Sequence, residues 1–108
     1  MRKVLSLVMA LGIVVSMVAA ADAAKAARTG KQVYESFCIA CHGTGAAGAP
    51  KFGDTIWVER EKKEGVKELV KDAIKGEKAM PPKGGCTDCS DDEIRAAVQY
   101  MIDASKKK

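Results

Sequence analysis

The chain is poor in residues on which many sites and folds depend. Its 108 residues include one histidine, one tryptophan and three prolines, and only 5% are aromatic. With His42 as its single imidazole, any site built within one chain can take at most one histidine ligand. No stretch alternates polar and apolar residues with the period of two that a half-buried strand requires. We therefore expect an all-α fold.

The excess of positive over negative charge is also small. Lysine and arginine outnumber aspartate and glutamate by 18 to 14, which gives a formal net charge of +4. The lysines are interspersed with acids, and the only charge run, Lys106 to Lys108, is typical of a solvated tail. A nucleic-acid-binding protein needs a basic patch, so this class is not supported.

The one long apolar run lies at the N-terminus. Arg2 and Lys3 precede an apolar stretch over residues 4–18, and small residues follow. This pattern is typical of a secretory signal peptide, cleaved after Ala21 or Ala23. A retained membrane anchor is the alternative, because residues 4–21 are just long enough to cross a bilayer. Export predicts a periplasmic location, where cysteines tend to form disulfides.

Taking cleavage after Ala21, we divide the chain into a signal peptide, a flexible leader, one helical domain and a basic tail, at residues 1–21, 22–28, 29–105 and 106–108.

Four helices are predicted within the domain. Thr29 with Gln32, and Ser90 with Glu93, are capping-box pairs that mark the starts of the first and the last helix. Asp54 is a plausible N-cap for the second helix. The predicted helices cover about residues 30–40, 54–63, 66–75 and 90–104. Glycines and prolines predict irregular loops at residues 43–50 and 77–90.

Two cysteines and the histidine form a C-x-x-C-H motif at Cys38, Cys41 and His42. Thiols three positions apart on one helical turn can reach the two vinyl edges of a porphyrin, with the imidazole next to the iron. A thioredoxin-like redox pair would need a βαβ context, which an all-α chain lacks. The motif therefore predicts one covalently attached haem c.

A second C-x-x-C pair is formed by Cys86 and Cys89. The two pairs together could make a four-cysteine zinc site. Two predicted helices separate the pairs, however, and export favours oxidised thiols. A second haem is excluded because Ser90, not histidine, follows Cys89.

The second axial ligand of a haem iron has to come from another residue type. Met101 lies on the apolar stripe of the last helix and is most simply a core residue, whereas Met80 lies in a loop whose prolines fix the backbone. We predict His42 and Met80 as the axial ligands. This pair leaves no open iron site and suits one-electron transfer. The alternative is a small-ligand sensor or peroxidase-like enzyme in which Met80 is displaceable.

Three stretches together resemble the cytochrome c5 family of class I c-type monohaem cytochromes. They are VYESFCIACHGTGAAGAPKFGD, Trp57 with Arg60, and AIKGEKAMPPKGGCTDCSDDEIRAAVQYM. The resemblance covers about residues 29–102. It implies a small fold of about four helices around one haem, with the terminal helices packed together. The family pattern assigns thioether bonds to Cys38 and Cys41, axial ligation to His42 and Met80, and a disulfide to Cys86 and Cys89.

The resemblance also places the helix of Trp57 and Arg60 near a haem propionate, although core packing explains Trp57 equally well. The expected function is single-electron transfer, without catalysis, between redox partners such as a membrane-bound reductase or terminal oxidase in a respiratory chain. Lys51, Lys78 and Lys83 are candidate charges at the docking rim. A third hypothesis is a haem module that keeps residues 1–21 as an anchor and serves one fixed partner.

Overall fold

A computed structural model describes residues 27–107 of the chain. The predicted signal peptide and most of the predicted leader lie outside the described residues. Within residues 27–107 the protein consists of helices and turns without a strand, and a single antiparallel β-bridge joins Glu77 to Met80. The all-α prediction is confirmed. None of the described helices is long and apolar enough to cross a membrane.

Four helical segments form the domain. Helix α1 is continuous and consists of an α-helical part, a π-helical part and a second α-helical part: Gly30–Val33, Tyr34–Cys38 and Ile39–His42. The other three helices are α2, α3 and α4, at Ile56–Glu64, Val66–Lys75 and Asp91–Lys106. Short 3₁₀ turns lie in the two loops, at Ala46–Gly48 and Pro82–Gly85.

The helix starts follow the capping signals. The side chains of Thr29 and Ser90 each accept a hydrogen bond from the backbone N–H three residues on. In return, the side chains of Gln32 and Glu93 accept the backbone N–H of Thr29 and Ser90. The cap of helix α2 lies one residue later than expected: Thr55 occupies the cap position, and the Asp54 carboxylate accepts the Ile56 N–H at 3.0 Å.

The π-helical turn in α1 was not predicted. The Ile39 N–H donates to the Tyr34 carbonyl, five residues back. One extra residue in a turn rotates the following helix by about 100° relative to a continuous α-helix. Val33 and Cys38 are consequently both buried, whereas Cys41 is exposed. In the sequence, Val33, Phe37 and Cys41 recur every four residues, as on one face of a regular helix. Because of the π turn, this spacing does not mark the buried face of α1.

Helices α1 and α4 cross at very close range. A Cβ atom added to Gly30 would collide with the carbonyl oxygen of Ala96 in α4. Next to the crossing, Val33 and Ile102 are fully buried. Glycine at position 30 thus lets the two backbones touch, as the packing of terminal helices implied by the resemblance requires.

Three aromatic rings extend this interface. The ring of Tyr34 lies 4.8 Å from that of Phe52 and 5.5 Å from that of Tyr100, and the rings of Phe52 and Tyr100 are 5.4 Å apart. Tyr34 is 4% exposed, and its burial raises the pKa of the phenol. The cluster connects the loop after α1 to both terminal helices.

An ion pair joins the residues before α1 to the start of α4. Arg28 Nε donates to the Glu93 carboxylate at 2.9 Å, and the Arg28 backbone N–H donates to the same oxygen at 2.8 Å. The Ser90 backbone N–H donates to the other oxygen at 2.9 Å. Arg28, placed in the leader by the sequence analysis, is therefore held against the domain. At the other end of α4, Lys106 forms an ion pair with Glu61 of α2 at 3.0 Å.

The close crossing of α1 and α4 predicts that Gly30→Ala destabilises the protein. At an exposed helix position, glycine to alanine would raise helix propensity, but at position 30 the added methyl group forces the two backbones apart. We expect the free energy of unfolding of the haem-loaded protein to fall by about 1–3 kcal/mol or more, the range for overpacking a tight core. Urea unfolding measures this, with exposed Lys31→Ala as the control in the same helix. A Gly30→Ala protein as stable as the Lys31→Ala control would show that the contact is not tight.

Glu93 predicts part of the pH dependence of stability. The Arg28 side chain, followed by the backbone N–H groups of Arg28 and Ser90, holds the pKa of Glu93 well below its usual range. Its pKa in the unfolded chain is about 4.3. The stabilisation is thus fully present above that pH and is lost as the pH falls toward the folded pKa. We expect Glu93→Gln to destabilise the protein at pH 7 and by progressively less below pH 4.3. Urea midpoints measured across pH test this, and a stability loss independent of pH would contradict it.

Candidate functional site

The helices and the two loops surround a cavity of about 720 Å³. This volume lies within the range of about 300–1,000 Å³ typical of cofactor and ligand sites. The inner faces of α3 and α4 supply apolar walls, with Leu69, Ala73, Ile94, Ala97, Val98 and Met101. These apolar residues of α3 and α4 therefore belong to the buried core and also line the cavity.

The structure brings all four residues expected to attach the haem or ligate its iron, Cys38, Cys41, His42 and Met80, to this one cavity. Cys38 is buried and Cys41 is exposed, and neither takes part in a disulfide. Burial raises the pKa of the Cys38 thiol to about 11, so without a thioether bond this thiol is neutral at pH 7. The π turn is what directs Cys38 and His42 to the buried side of α1.

The His42 ring is oriented by a backbone carbonyl. Its Nδ1 lies 2.8 Å from the carbonyl oxygen of Pro50. A carbonyl can only accept, so Nδ1 carries a proton, and in the neutral ring the lone pair then lies on Nε2. The Phe52 N–H also donates to the His42 carbonyl at 2.7 Å. The glycine-rich loop thus contacts both the side chain and the backbone of His42.

Trp57 supports the same part of the site. Its ring centroid lies 5.5 Å from that of His42, and its indole N–H donates to the Lys51 carbonyl at 3.0 Å. Trp57 is buried, and both Trp57 and Arg60 line the cavity. Trp57 therefore combines core packing with a place in the cavity wall.

Met80 is held by its backbone. The Glu77 N–H donates to the Met80 carbonyl at 3.0 Å, and the Met80 N–H donates to the Glu77 carbonyl at 2.9 Å. Gly76, at a φ of 91°, lies so close that an added Cβ would be 3.0 Å from the Met80 carbonyl oxygen. On the other side, a Cβ added to Gly84 would lie 4.0 Å from the terminal methyl carbon of Met80. Gly76 thus permits close packing of the loop against the Met80 carbonyl, and Gly84 lies at ordinary contact distance from the Met80 methyl group.

The second cysteine pair is separate from the first. The structure places Cys86 and Cys89 in a disulfide next to the Met80 loop, with both cysteines buried. Across residues 27–107, the one close group of three or more possible metal-ligating side chains contains these two cysteines and Asp88. No four-cysteine cluster therefore forms in the described part of the chain, and sulfur atoms in a disulfide do not act as thiolate ligands.

Lys83 differs from the other lysines expected at the rim. Its ammonium donates to the Cys89 carbonyl at 2.7 Å and lies 3.5 Å from the Asp91 carboxylate. Lys51 and Lys78 are exposed. Lys83 thus makes contacts within the protein that Lys51 and Lys78 do not share, and its place as a charge at the docking rim stays a prediction.

The donor set of the cavity fits a haem group. Two thiols on one helical turn, an imidazole with a free Nε2 and a thioether share a cavity with apolar walls. Sequence reasoning missed the residues that orient these donors, notably Pro50, Gly76 and Lys83. The Pro50 carbonyl orients His42, and the Cys89 carbonyl accepts the bond from Lys83. Because every residue has a backbone carbonyl, these roles leave no sequence signal.

Comparison with known proteins gives the same assignment. A family model described as "Cytochrome C oxidase, cbb3-type, subunit III" matches residues 25–101. Cytochrome c5 of Ectopseudomonas mendocina is 50% identical over 84 residues, which cover 76% of this chain and 97% of that protein. Cytochrome c5 of Azotobacter vinelandii is 49% identical over 77 residues, covering 69% of this chain and 93% of that protein.

Solved structures share the fold. A chain in the crystal structure of an electron transfer complex of nitrite reductase with cytochrome c matches with a TM-score of 0.65 and 42% identity, covering 70% of this chain and 93% of that one. A mono-haem ferrocytochrome c from Shewanella putrefaciens matches with a TM-score of 0.62 and 44% identity, covering 68% and 91%. The chain therefore belongs to the cytochrome c5 family of small monohaem cytochromes, electron carriers rather than enzymes, with one covalently bound haem c.

Proposed function

We propose that the protein is an exported carrier that passes single electrons between redox partner proteins of a respiratory chain, with His42 and Met80 as the axial ligands of its haem. The observation that carries the proposal is the shared cavity. His42 and Met80 both line it, and loop hydrogen bonds hold both residues.

Each ligating or attaching side chain has a separate task. When bound, the haem supplies a one-electron iron couple whose potential is raised by histidine and methionine ligation. The Cys38 and Cys41 thiols anchor the group covalently. The Pro50 carbonyl fixes the tautomer of His42 and increases the basicity of Nε2. The apolar walls exclude water, which lowers the dielectric constant around the site.

Met101 is the competing sulfur donor, because it also lines the cavity. Met101 is 3% exposed and lies on the buried face of α4, next to the fully buried Ile102. Met80 is instead held in a loop by two hydrogen bonds with Glu77. A loop can bring its thioether up to the iron without disturbing the crossing of the terminal helices, so we assign the ligand to Met80.

The carrier is favoured over the sensor or peroxidase-like alternative by the same contacts. A movement of the Met80 backbone would break its paired hydrogen bonds with Glu77 or the close packing at Gly76. An iron with two protein ligands has no open position for a small molecule. The contacts around Met80 thus support electron transfer without bond-making chemistry.

Partners and location follow from several observations. One structural neighbour belongs to a complex of nitrite reductase with cytochrome c, which supports a redox protein as partner here. The docking face would be small, below ~1,200 Å², as expected for a transient redox contact. Exposed Lys51 and Lys78 would lie at its rim and increase the encounter rate with an acidic partner. The predicted signal peptide and the Cys86–Cys89 disulfide support a periplasmic location.

A pair of matched substitutions tests the ligand assignment. Met80→Leu removes the proposed sulfur ligand, and Met101→Leu removes the competing one at similar volume. We expect Met80→Leu to keep covalent haem, lose the near-infrared sulfur-to-iron band, lower the reduction potential and bind carbon monoxide when reduced. Met101→Leu should keep the band and resist carbon monoxide as the parent protein does.

Absorption spectra, a potentiometric titration and carbon monoxide binding measure these effects. A Met80→Leu protein with an unchanged band and potential would refute the ligand assignment. Ready carbon monoxide binding by the parent protein would favour the sensor or enzyme hypothesis.

The disulfide predicts a second result. Cys86→Ser combined with Cys89→Ser should leave haem content unchanged, because neither residue belongs to the haem motif. Since the disulfide closes a short loop, we expect a loss of about 2 kcal/mol in the free energy of unfolding, together with easier displacement of Met80 by added imidazole. Haem content, urea unfolding and imidazole titration measure this. The pairing would be refuted by lost haem attachment in the double variant or by two alkylatable thiols in the native oxidised protein.

A further inference from the structure

Lys83 lies in the loop between Met80 and the disulfide, and its ammonium group points inward. Its side chain is 25% exposed, whereas Lys78, on the other side of Met80, is an exposed residue. Lys83 Nζ donates to the Cys89 carbonyl at 2.7 Å and lies 3.5 Å from the Asp91 carboxylate. Asp91 is 69% exposed, so the bond to the carbonyl is the better shielded of the two contacts.

The backbone of Lys83 is shaped for this contact. Its φ of 57° is left-handed, and Gly84 and Gly85 follow at 62° and 89°. A non-glycine residue holds such a conformation only where the surrounding contacts stabilise it. This turn folds the chain back, so that the Lys83 side chain reaches the residue just before the cap of α4.

The Cys89 carbonyl needs such a donor. Cys89 is 2% exposed, and a buried carbonyl without a partner is unfavourable. A bond from an ammonium group is charge-assisted and stronger than one between neutral groups. Lys83 therefore joins the Met80 loop to the start of α4 by one strong, partly buried hydrogen bond.

Met80 lies between two anchors. Upstream, its backbone is paired with that of Glu77. Downstream, Gly84 packs near the Met80 methyl group, directly after Lys83. If the Lys83 contacts open, the backbone between Met80 and the disulfide is held by the local turn bonds from Gly84 to Pro81 and from Cys86 to Lys83.

We propose that Lys83 is a positioning residue for the methionine ligand: its ammonium bond to the Cys89 carbonyl holds the Met80 loop closed over the haem cavity. The proposal rests on the proposed ligation of iron by Met80. It gives Lys83 a role inside the protein in addition to its predicted place at the docking rim.

The test uses the oxidised haem-loaded protein and imidazole as the probe that displaces Met80. Lys83→Leu removes the ammonium, and Lys83→Arg retains a charged donor. Lys78→Leu is the matched control, because Lys78 is also left-handed, at a φ of 52°, and also lines the cavity. We expect Lys83→Leu to bind imidazole about tenfold more tightly, the factor that corresponds to one lost charged hydrogen bond. Lys78→Leu and Lys83→Arg should stay close to the parent protein.

A second measurement does not depend on which residue ligates the iron. The backbone N–H groups of Gly84 and Cys86 donate to the Pro81 and Lys83 carbonyls within the loop. Their hydrogen exchange should become about tenfold faster in Lys83→Leu if the same bond restrains the loop. The same bond stabilises the closed protein against unfolding, so the urea midpoint of Lys83→Leu should fall below that of Lys78→Leu, which should stay close to that of the parent protein.

Several outcomes would overturn the proposal. One is an imidazole affinity of Lys83→Leu equal to that of the parent protein, with or without faster exchange. Another is an equal increase in imidazole affinity in Lys83→Leu and Lys78→Leu, because the increase would then come from the lost positive charge alone. Failure of the ligand assignment itself is recognised separately, because the parent protein would then lack a sulfur-to-iron band that disappears in Met80→Leu.

Discussion

The contact between Gly30 of α1 and the Ala96 carbonyl in α4 is the constraint on which the rest of the molecule depends. It sets how closely the two terminal helices approach each other. Helix α1 continues from this crossing through the π turn to Cys38 and His42, and α4 carries Ile94, Val98 and Met101 along the opposite wall of the cavity. A change in the crossing would therefore move the haem attachment residues relative to the wall.

Backbone groups provide much of the precision at the site. The Pro50 carbonyl orients the His42 ring, the Glu77 backbone pairs with that of Met80, and the Cys89 carbonyl receives the Lys83 ammonium. Such contacts let short loops hold side chains in place although the chain has few residues for a second layer of packing. The two sides of the cavity differ, because His42 extends from a helix and Met80 extends from a loop between two anchors. We therefore expect the Met80 loop to open more readily than the helix that carries His42.

The sequence predicted most of the helices and the chemistry, because these depend on side-chain type and periodicity. The capping boxes at Thr29 and Ser90, the stripe of α3 and the C-x-x-C-H motif all carry local signals. The π turn was missed because the spacing of Val33, Phe37 and Cys41 fits a regular helix, while the packing of Tyr34 and Cys38 selects another face. The inward position of Lys83 was also missed. A lysine in a glycine-rich loop is ordinarily solvated, and its carbonyl partner comes from a separate turn that only the folded chain brings near.

Nuclear magnetic resonance of the reduced haem-loaded protein, with methionine methyl groups labelled with carbon-13, tests the central claim most directly. A methyl group that lies over the face of a porphyrin is shifted strongly upfield by the ring current, and an iron ligand lies closest to that face. The account predicts that the strongly shifted resonance belongs to Met80 and that it shows a nuclear Overhauser contact to Gly84, next to which the Met80 methyl lies. A strongly shifted resonance assigned to Met101, or none that belongs to Met80, would contradict the account.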